Sequence, residues 1–167
     1  MSYYMFFHGT LGSGKSTCAK KLAKLLDAKR IDLDAVLKKN KLDHQASNSA
    51  CISAYNFIKG LDLVIPLAKE LLEEGKIVIF DGCLYHQEVL EYLQEKLSFP
   101  NYVFTFKASL EVCIERDKNR EKTIGKGVAE EVYKLVKNNN FGILIDNDKK
   151  SIEEAIKEIV CYLPKSE

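Results

Sequence analysis

Residues 9 to 16 read Gly-Thr-Leu-Gly-Ser-Gly-Lys-Ser, an unbroken GxxxxGK[ST] octet. An apolar run, Tyr3-Tyr4-Met5-Phe6-Phe7-His8, leads into it, and a helical pattern from Lys15 to Leu26 follows. A buried strand, a glycine turn and a helix N-terminus give the octet its physical meaning. Loop N–H groups turn inward and bind phosphate oxygens. The spacing assigns Gly9, Thr10, Leu11, Gly12, Ser13, Gly14, Lys15, Ser16 and Thr17 to nucleotide binding. Lys15 reaches the β and γ phosphates, and Ser16 supplies a hydroxyl to Mg²⁺.

The rest of the chain reads as alternating strands and helices, the pattern of a parallel sheet covered on both faces. Strands are expected at 3–8, 29–32, 77–80, 102–106 and 143–145. Helices are expected at 15–26, 35–39, 48–59, 62–74, 86–97, 109–120, 128–138 and 151–162. Gly75 is placed to end the fourth of these helices. At 167 residues, 46% hydrophobic and 29% charged, the chain reads as one domain with one core. A net charge of +1 gives no broad basic surface for duplex nucleic acid. The five cysteines, with no CxxC among them, read as buried thiols of a cytoplasmic protein rather than a zinc site or disulfide framework. No leader and no membrane span is expected.

Parallel sheets bind ligands beyond the C-terminal ends of their strands. Carboxylates close three of the expected strands there: Asp32-Leu33-Asp34, Asp81-Gly82 and Asp146-Asn147-Asp148. Asp32 and Asp34, two apart, share one face of an extended strand end. One can orient an acceptor hydroxyl, with Asp34 the first choice as base and Asp32 the second. Asp34 could instead cap the helix beginning at Ala35. Asp81 follows four apolar residues, as a carboxylate serving Mg²⁺ would. Asn40-Lys41-Leu42-Asp43 matches NKxD formally. It lies in a polar stretch rather than at a late strand end, and no DxxG accompanies it, so a GTPase is not indicated.

Only Arg30, Arg116 and Arg120 break the preference of this chain for lysine. Arg30 reads as ordinary surface charge. Arg116 and Arg120, spaced i, i+4, share a helix face just before a loop containing Gly125. They suit a lid that closes cations over a transferring phosphoryl group. His8 is expected to pack beside the glycine loop. His86, Tyr55, Phe57 and Tyr85 line an acceptor pocket or fill the core.

Taken together, these residues resemble the small P-loop kinase group. That group includes polynucleotide 5′-hydroxyl kinases, shikimate and gluconate kinases, adenylylsulfate kinase and chloramphenicol phosphotransferase. Four places carry the likeness: Gly9–Ser16, Ile31-Asp32-Leu33-Asp34, Ile79-Phe80-Asp81-Gly82 and Arg116-Asp117-Lys118-Asn119-Arg120. The shikimate kinases' Gly-Gly pair is missing, and the aromatic and basic path for a long nucleic acid is thin.

The resemblance implies an α/β three-layer sandwich with a five-stranded parallel sheet in the order 2-3-1-4-5. It implies one P-loop kinase domain over 1–167, an acceptor-binding insertion at about 35–60 and a helical lid at about 116–127. The implied activity is ATP- and Mg²⁺-dependent transfer of the γ-phosphate to a hydroxyl of a small molecule, a nucleoside or a nucleic-acid 5′ end. Catalysis would fall to Lys15, Asp34, Asp32, Arg116 and Arg120, and metal binding to Ser16 and Asp81. The partners are a nucleoside triphosphate and the acceptor, with no membrane, in a monomer or homodimer. Two other readings stay open: a nucleoside mono- or diphosphate kinase, and a nucleotide-binding regulatory protein with slow ATPase.

Overall fold

The structure, a computed structural model, describes residues 1–44, 52–119 and 126–164. The elements run β1 (Tyr4–Gly9), α1 (Lys15–Leu25), β2 (Lys29–Asp32), α2 (Leu33–Lys39), α3 (Ala54–Glu73), β3 (Val78–Asp81), α4 (Gln87–Lys96), β4 (Asn101–Lys107), α5 (Leu110–Lys118), α6 (Lys126–Val136), β5 (Ile143–Asp146) and α7 (Ile152–Tyr162). The five strands form one sheet in the order β2-β3-β1-β4-β5. All the pairings are parallel, with Phe7 opposite Asp81 and Asp32 also opposite Asp81 across β3. Strand β1 is central, so its glycine loop leaves the middle of the sheet.

Alternation along β1 divides the core in two. Tyr4 and Phe6 join Leu33, Leu37, Phe57, Leu61, Phe80 and Leu93 beneath α2, α3 and α4. Met5 and Phe7 face the other way, with Cys18, Leu22, Ala155 and Ile159 of α1 and α7. A third, small cluster places Val132 and Val136 of α6 against Cys83, with Leu11 and Tyr85 at its edge. A sheet between two helical layers follows from strands apolar on both sides.

Local sequence sets the helix ends. Ser53 caps α3 and Ser109 caps α5, each accepting from the backbone three residues on. Ser151 and Glu154 form a reciprocal capping box on α7. Gly75, at φ 86°, ends α3 in the left-handed conformation that glycine takes at little cost.

Three expectations need correction. The helices at 48–59 and 62–74 are one helix from Ala54 to Glu73; residues 48–51 lie outside the described residues. Gly60 sits inside this helix, at a point where a Cβ would meet Leu37 Cδ2 at 2.7 Å. It serves the α2–α3 contact rather than a turn. Pro66 also lies inside α3 and does not end it. Second, Cys161 is exposed on α7, unlike the buried Cys18, Cys83 and Cys113. Third, Tyr55 is 63% exposed, with the Lys59 ammonium 4.4 Å from its ring centroid, and so is not part of the core. Among the described residues no helix is long and apolar enough to cross a membrane.

Leu61 is fully buried where α3 meets the sheet. Leu61→Ala should destabilise the fold by about 2–5 kcal/mol, the usual cost of emptying such a site. Urea unfolding checks this, and nucleotide affinity of the folded protein should be unchanged, since Leu61 belongs to the core cluster of Leu37, Phe57 and Phe80.

Candidate active site

The glycine loop is held from several sides. Gly12 has φ 79°, and a Cβ there would lie 2.5 Å from the Cys113 carbonyl oxygen; Gly14 has φ 90°, and a Cβ would lie 2.4 Å from Asn147 Nδ2. No residue with a side chain fits either position without moving its neighbour. Ser13 Oγ donates to the Thr10 carbonyl at 2.8 Å, and Asn147 Nδ2 donates to the Ser13 carbonyl at 2.7 Å. Thr10 Oγ1 and Cys113 Sγ lie 3.3 Å apart.

Helix α1 starts from Gly14 without a side-chain cap and has no acidic residue in its first turn. Its first N–H groups and the positive end of its dipole therefore face outward at the loop, ready for an anion. Lys15 is nearly buried beside them.

The next cluster forms at the ends of β2 and β3. Ser16 Oγ donates to Asp81 Oδ1 at 3.1 Å. Asp81 is 1% exposed, so this carboxylate depends on its protein partners rather than on water. Its other oxygen, Oδ2, accepts from Arg30 Nε at 2.9 Å and also from Arg30 Nη2. Nη2 further donates to Asp32 Oδ2 at 2.8 Å. Burial opposes the Arg30 charge, but hydrogen bonds and attraction from Asp81 and Asp32 outweigh it and raise its pKa. Arg30 is thus no idle surface charge, contrary to the sequence expectation. The signal that could have found it was the spacing: Arg30 and Asp32 share a strand face in a sheet where β2 lies beside β3.

Asp32 and Asp34 do not share an extended strand face as expected. Strand β2 ends at Asp32, and Asp34 belongs to the first turn of α2. The cap of α2 is Asp32, whose Oδ1 accepts from Ala35 N at 3.0 Å; Asp34 is not the cap. Both oxygens of Asp32 are therefore engaged by the fold, one by the cap and one by Arg30. Asp34 stays open to solvent, with protein on most sides, and its Oδ1 accepts from Cys83 N at 3.3 Å. Crowding raises the Asp34 pKa, against the pull of Lys15 and the Cys83 N–H.

Arg116 lies elsewhere. Its guanidinium donates to the carbonyl oxygens of Gly12 at 3.4 Å, Asn147 at 2.9 Å and Asp148 at 3.4 Å. These belong to the glycine loop and the end of β5, whereas Asp34 follows β2 at the opposite edge of the sheet. In this conformation Arg116 braces the loop instead of facing the acceptor side. Arg120 and loop residues 121–125 lie outside the described residues, so the paired helix face can be followed only through Arg116.

His86 Nε2 lies 2.9 Å from the Ile52 carbonyl and ties the entrance of α3 to the loop after β3. Phe57, Tyr85 and His86 meet edge-on, with centroids 5.7 to 6.1 Å apart. His8 packs beside the loop, fully buried against Phe141, and neither ring nitrogen has a hydrogen-bond partner among the described residues. Asn147, whose strand-end position was visible but whose role was not, bridges β5 to the loop.

The family model described as "AAA domain" matches residues 5–139. The chain is 28% identical to the "Probable thymidylate kinase" of Methanocaldococcus jannaschii, over 96% of this chain and 95% of that protein. It is 26% identical to the adenylyl-sulfate kinase of Staphylococcus carnosus, over 97% of this chain and 84% of that protein. Among solved structures, a sugar kinase from Janibacter sp. HTCC2649 superposes with a TM-score of 0.75 at 17% identity, covering 97% of this chain and 94% of that one. That likeness bears on the fold alone.

Burial, then Lys15 and Lys107, push the His8 pKa down to about 3. Folded His8 stays neutral while the unfolded chain takes up a proton below about pH 6.5. Stability should therefore be complete above that pH and fall between about 6.5 and 3, by at most about 1.4 kcal/mol per pH unit from this group. Urea unfolding near pH 5 and pH 7 should show a shallower acid loss in His8→Leu than in the wild type. Equal losses would mean that His8 finds a proton partner in the folded state.

Proposed function

We propose that this chain, which belongs to the AAA domain family and is a P-loop kinase, moves the γ-phosphate of ATP to a hydroxyl group of a small molecule, nucleoside or nucleic-acid 5′ end. The observation that carries the reading is the meeting of three groups at one sheet edge. These are the uncapped N-terminus of α1 with Lys15, the Ser16–Asp81 pair, and Asp34 held on Cys83 N. The first suits a triphosphate, the second a metal, and the third an acceptor.

Asp34 is the candidate base: among the described residues its Oδ2 has no hydrogen-bond partner, and a raised pKa brings it nearer to a useful working pH. Asp32, with cap and ion pair to maintain, acts by positioning α2. Ser16 and Asp81 offer hard oxygen donors suited to Mg²⁺, which would neutralise phosphate charge. Lys15 and the loop N–H groups hold the β and γ phosphates. Arg116 and Arg120 are assigned to the lid at about 116–127. Arg116 would leave its carbonyl partners to reach the transferring group. The segment at about 35–60 forms the acceptor side of a single domain.

A phosphate acceptor is the second reading, favoured by the name of the Methanocaldococcus jannaschii relative. Against it, residues 36–60 carry lysines but no arginine, the side chain whose planar fork clamps a phosphate. The aromatic trio of Phe57, Tyr85 and His86 suits an uncharged acceptor better.

The test is ATP consumption with product identification against sugars, nucleosides, 5′-hydroxyl oligonucleotides and nucleoside monophosphates. Phosphorylation of a hydroxyl is expected. Turnover only with monophosphates would favour the second reading, and acceptor-independent hydrolysis alone would favour a regulatory ATPase. With the acceptor found, Lys15→Ala should abolish transfer in a folded protein. Asp34→Asn should lower kcat by a factor on the order of 10²–10⁴, the range for loss of a general base, with ATP affinity nearly unchanged. A collapse of ATP affinity in Asp34→Asn would make Asp34 a nucleotide or metal group instead.

A further inference from the structure

Asp81 has its two oxygens divided between unlike partners. Oδ1 faces Ser16, the hydroxyl suited to a metal, and Oδ2 is forked by Arg30. Arg30 reaches across from β2, where Asp32 stands in register with Asp81. Its side chain is 18% exposed, against 1% for Asp81, so the pair is screened from water. The geometry is a planar fork set by two paired strands, which a flexible lysine would not reproduce.

Among the described residues, no three His, Cys, Asp or Glu side chains come together to hold a metal. A divalent cation arriving without nucleotide would find one hydroxyl and one carboxylate already matched by a cation. It would also meet the repulsion of Arg30 at short range. Nucleotide phosphates would change that balance, because they bring the missing oxygen donors and negative charge.

We propose that Arg30 is a positioning residue that holds Asp81 as an outer-sphere partner of the metal and reserves the site for a cation that arrives with nucleotide phosphates. The proposal rests on the assignment of Ser16 and Asp81 to the metal. The same guanidinium fixes Asp32, and Asp32 caps the helix that carries Asp34. The metal side and the acceptor side of the site are thereby set by one side chain.

The test is Mn²⁺ titration of the full chain, followed by the electron paramagnetic resonance signal of free Mn²⁺, with and without a non-hydrolysable ATP analogue. Without nucleotide, Arg30→Gln should bind Mn²⁺ about tenfold tighter than the wild type, because the repulsion of the nearby guanidinium is gone and Asp81 is released. Adding Asp81→Asn to that variant should remove the gain. Arg30→Met, which keeps the apolar stem, is read in the same way if the glutamine variant does not fold. Unchanged or weaker nucleotide-free binding in a folded Arg30 variant overturns the proposal. A separate arm tests its premise: Asp81→Asn alone should weaken Mn²⁺ binding in the presence of the analogue. If it does not, the metal assignment fails rather than the role of Arg30.

Discussion

All the strands of this sheet run the same way, and that constraint organises everything else. A parallel sheet gathers the C-terminal ends of its strands along one edge, whatever the distance between them in sequence. Gly9, Asp32, Asp81, Lys107 and Asp146 end the five strands and lie along that edge. The central place of β1 puts the anion-binding turn in the middle. The β2–β3 half then carries Asp34 and Asp81, and the β4–β5 half carries Asn147 and the contacts of Arg116. Two half-sites flanking one phosphate cradle are a property of the strand order, not of any single motif.

Charge at this edge is balanced locally. Asp81 and Asp32 face Arg30, while Asp34 lies in the field of Lys15 and accepts a backbone N–H. A buried carboxylate without such partners would be too costly to keep ionised. The cations nearest the loop also explain why His8 is neutral: with Lys15 and Lys107 around a dry ring, protonation is doubly unfavourable.

Much of this was legible from sequence because it depends on short-range rules. The octet at 9–16, the alternation in β1 and the sequence of strands and helices predicted the fold, including the strand order implied by the resemblance. What escaped had a tertiary cause. The packing role of Gly60 did not show because its partner, Leu37, is far away in sequence. A helix start with an aspartate cap was visible here, but nothing local showed that the cap would be Asp32, so that Asp34 falls in the first turn instead of on the strand. Arg30 looked ordinary because its chief partner, Asp81, comes from another strand. Asn147 could not be singled out, since its role is to meet the carbonyl of Ser13.

Gly60 has one more consequence. Its missing side chain lets the end of Leu37 of α2 lie close to α3, where an added Cβ would meet it. Helix α2 also carries Asp34 in its first turn. Asp34 and Leu37 stand three residues apart and so neighbour one another on α2, which ties the placing of that carboxylate to how Leu37 packs on α3. In a lineage descended from this chain, residue 60 would act as a spacer: a side chain there would first turn the end of Leu37 and then press on α2, a change passed to Asp34 without any contact to it.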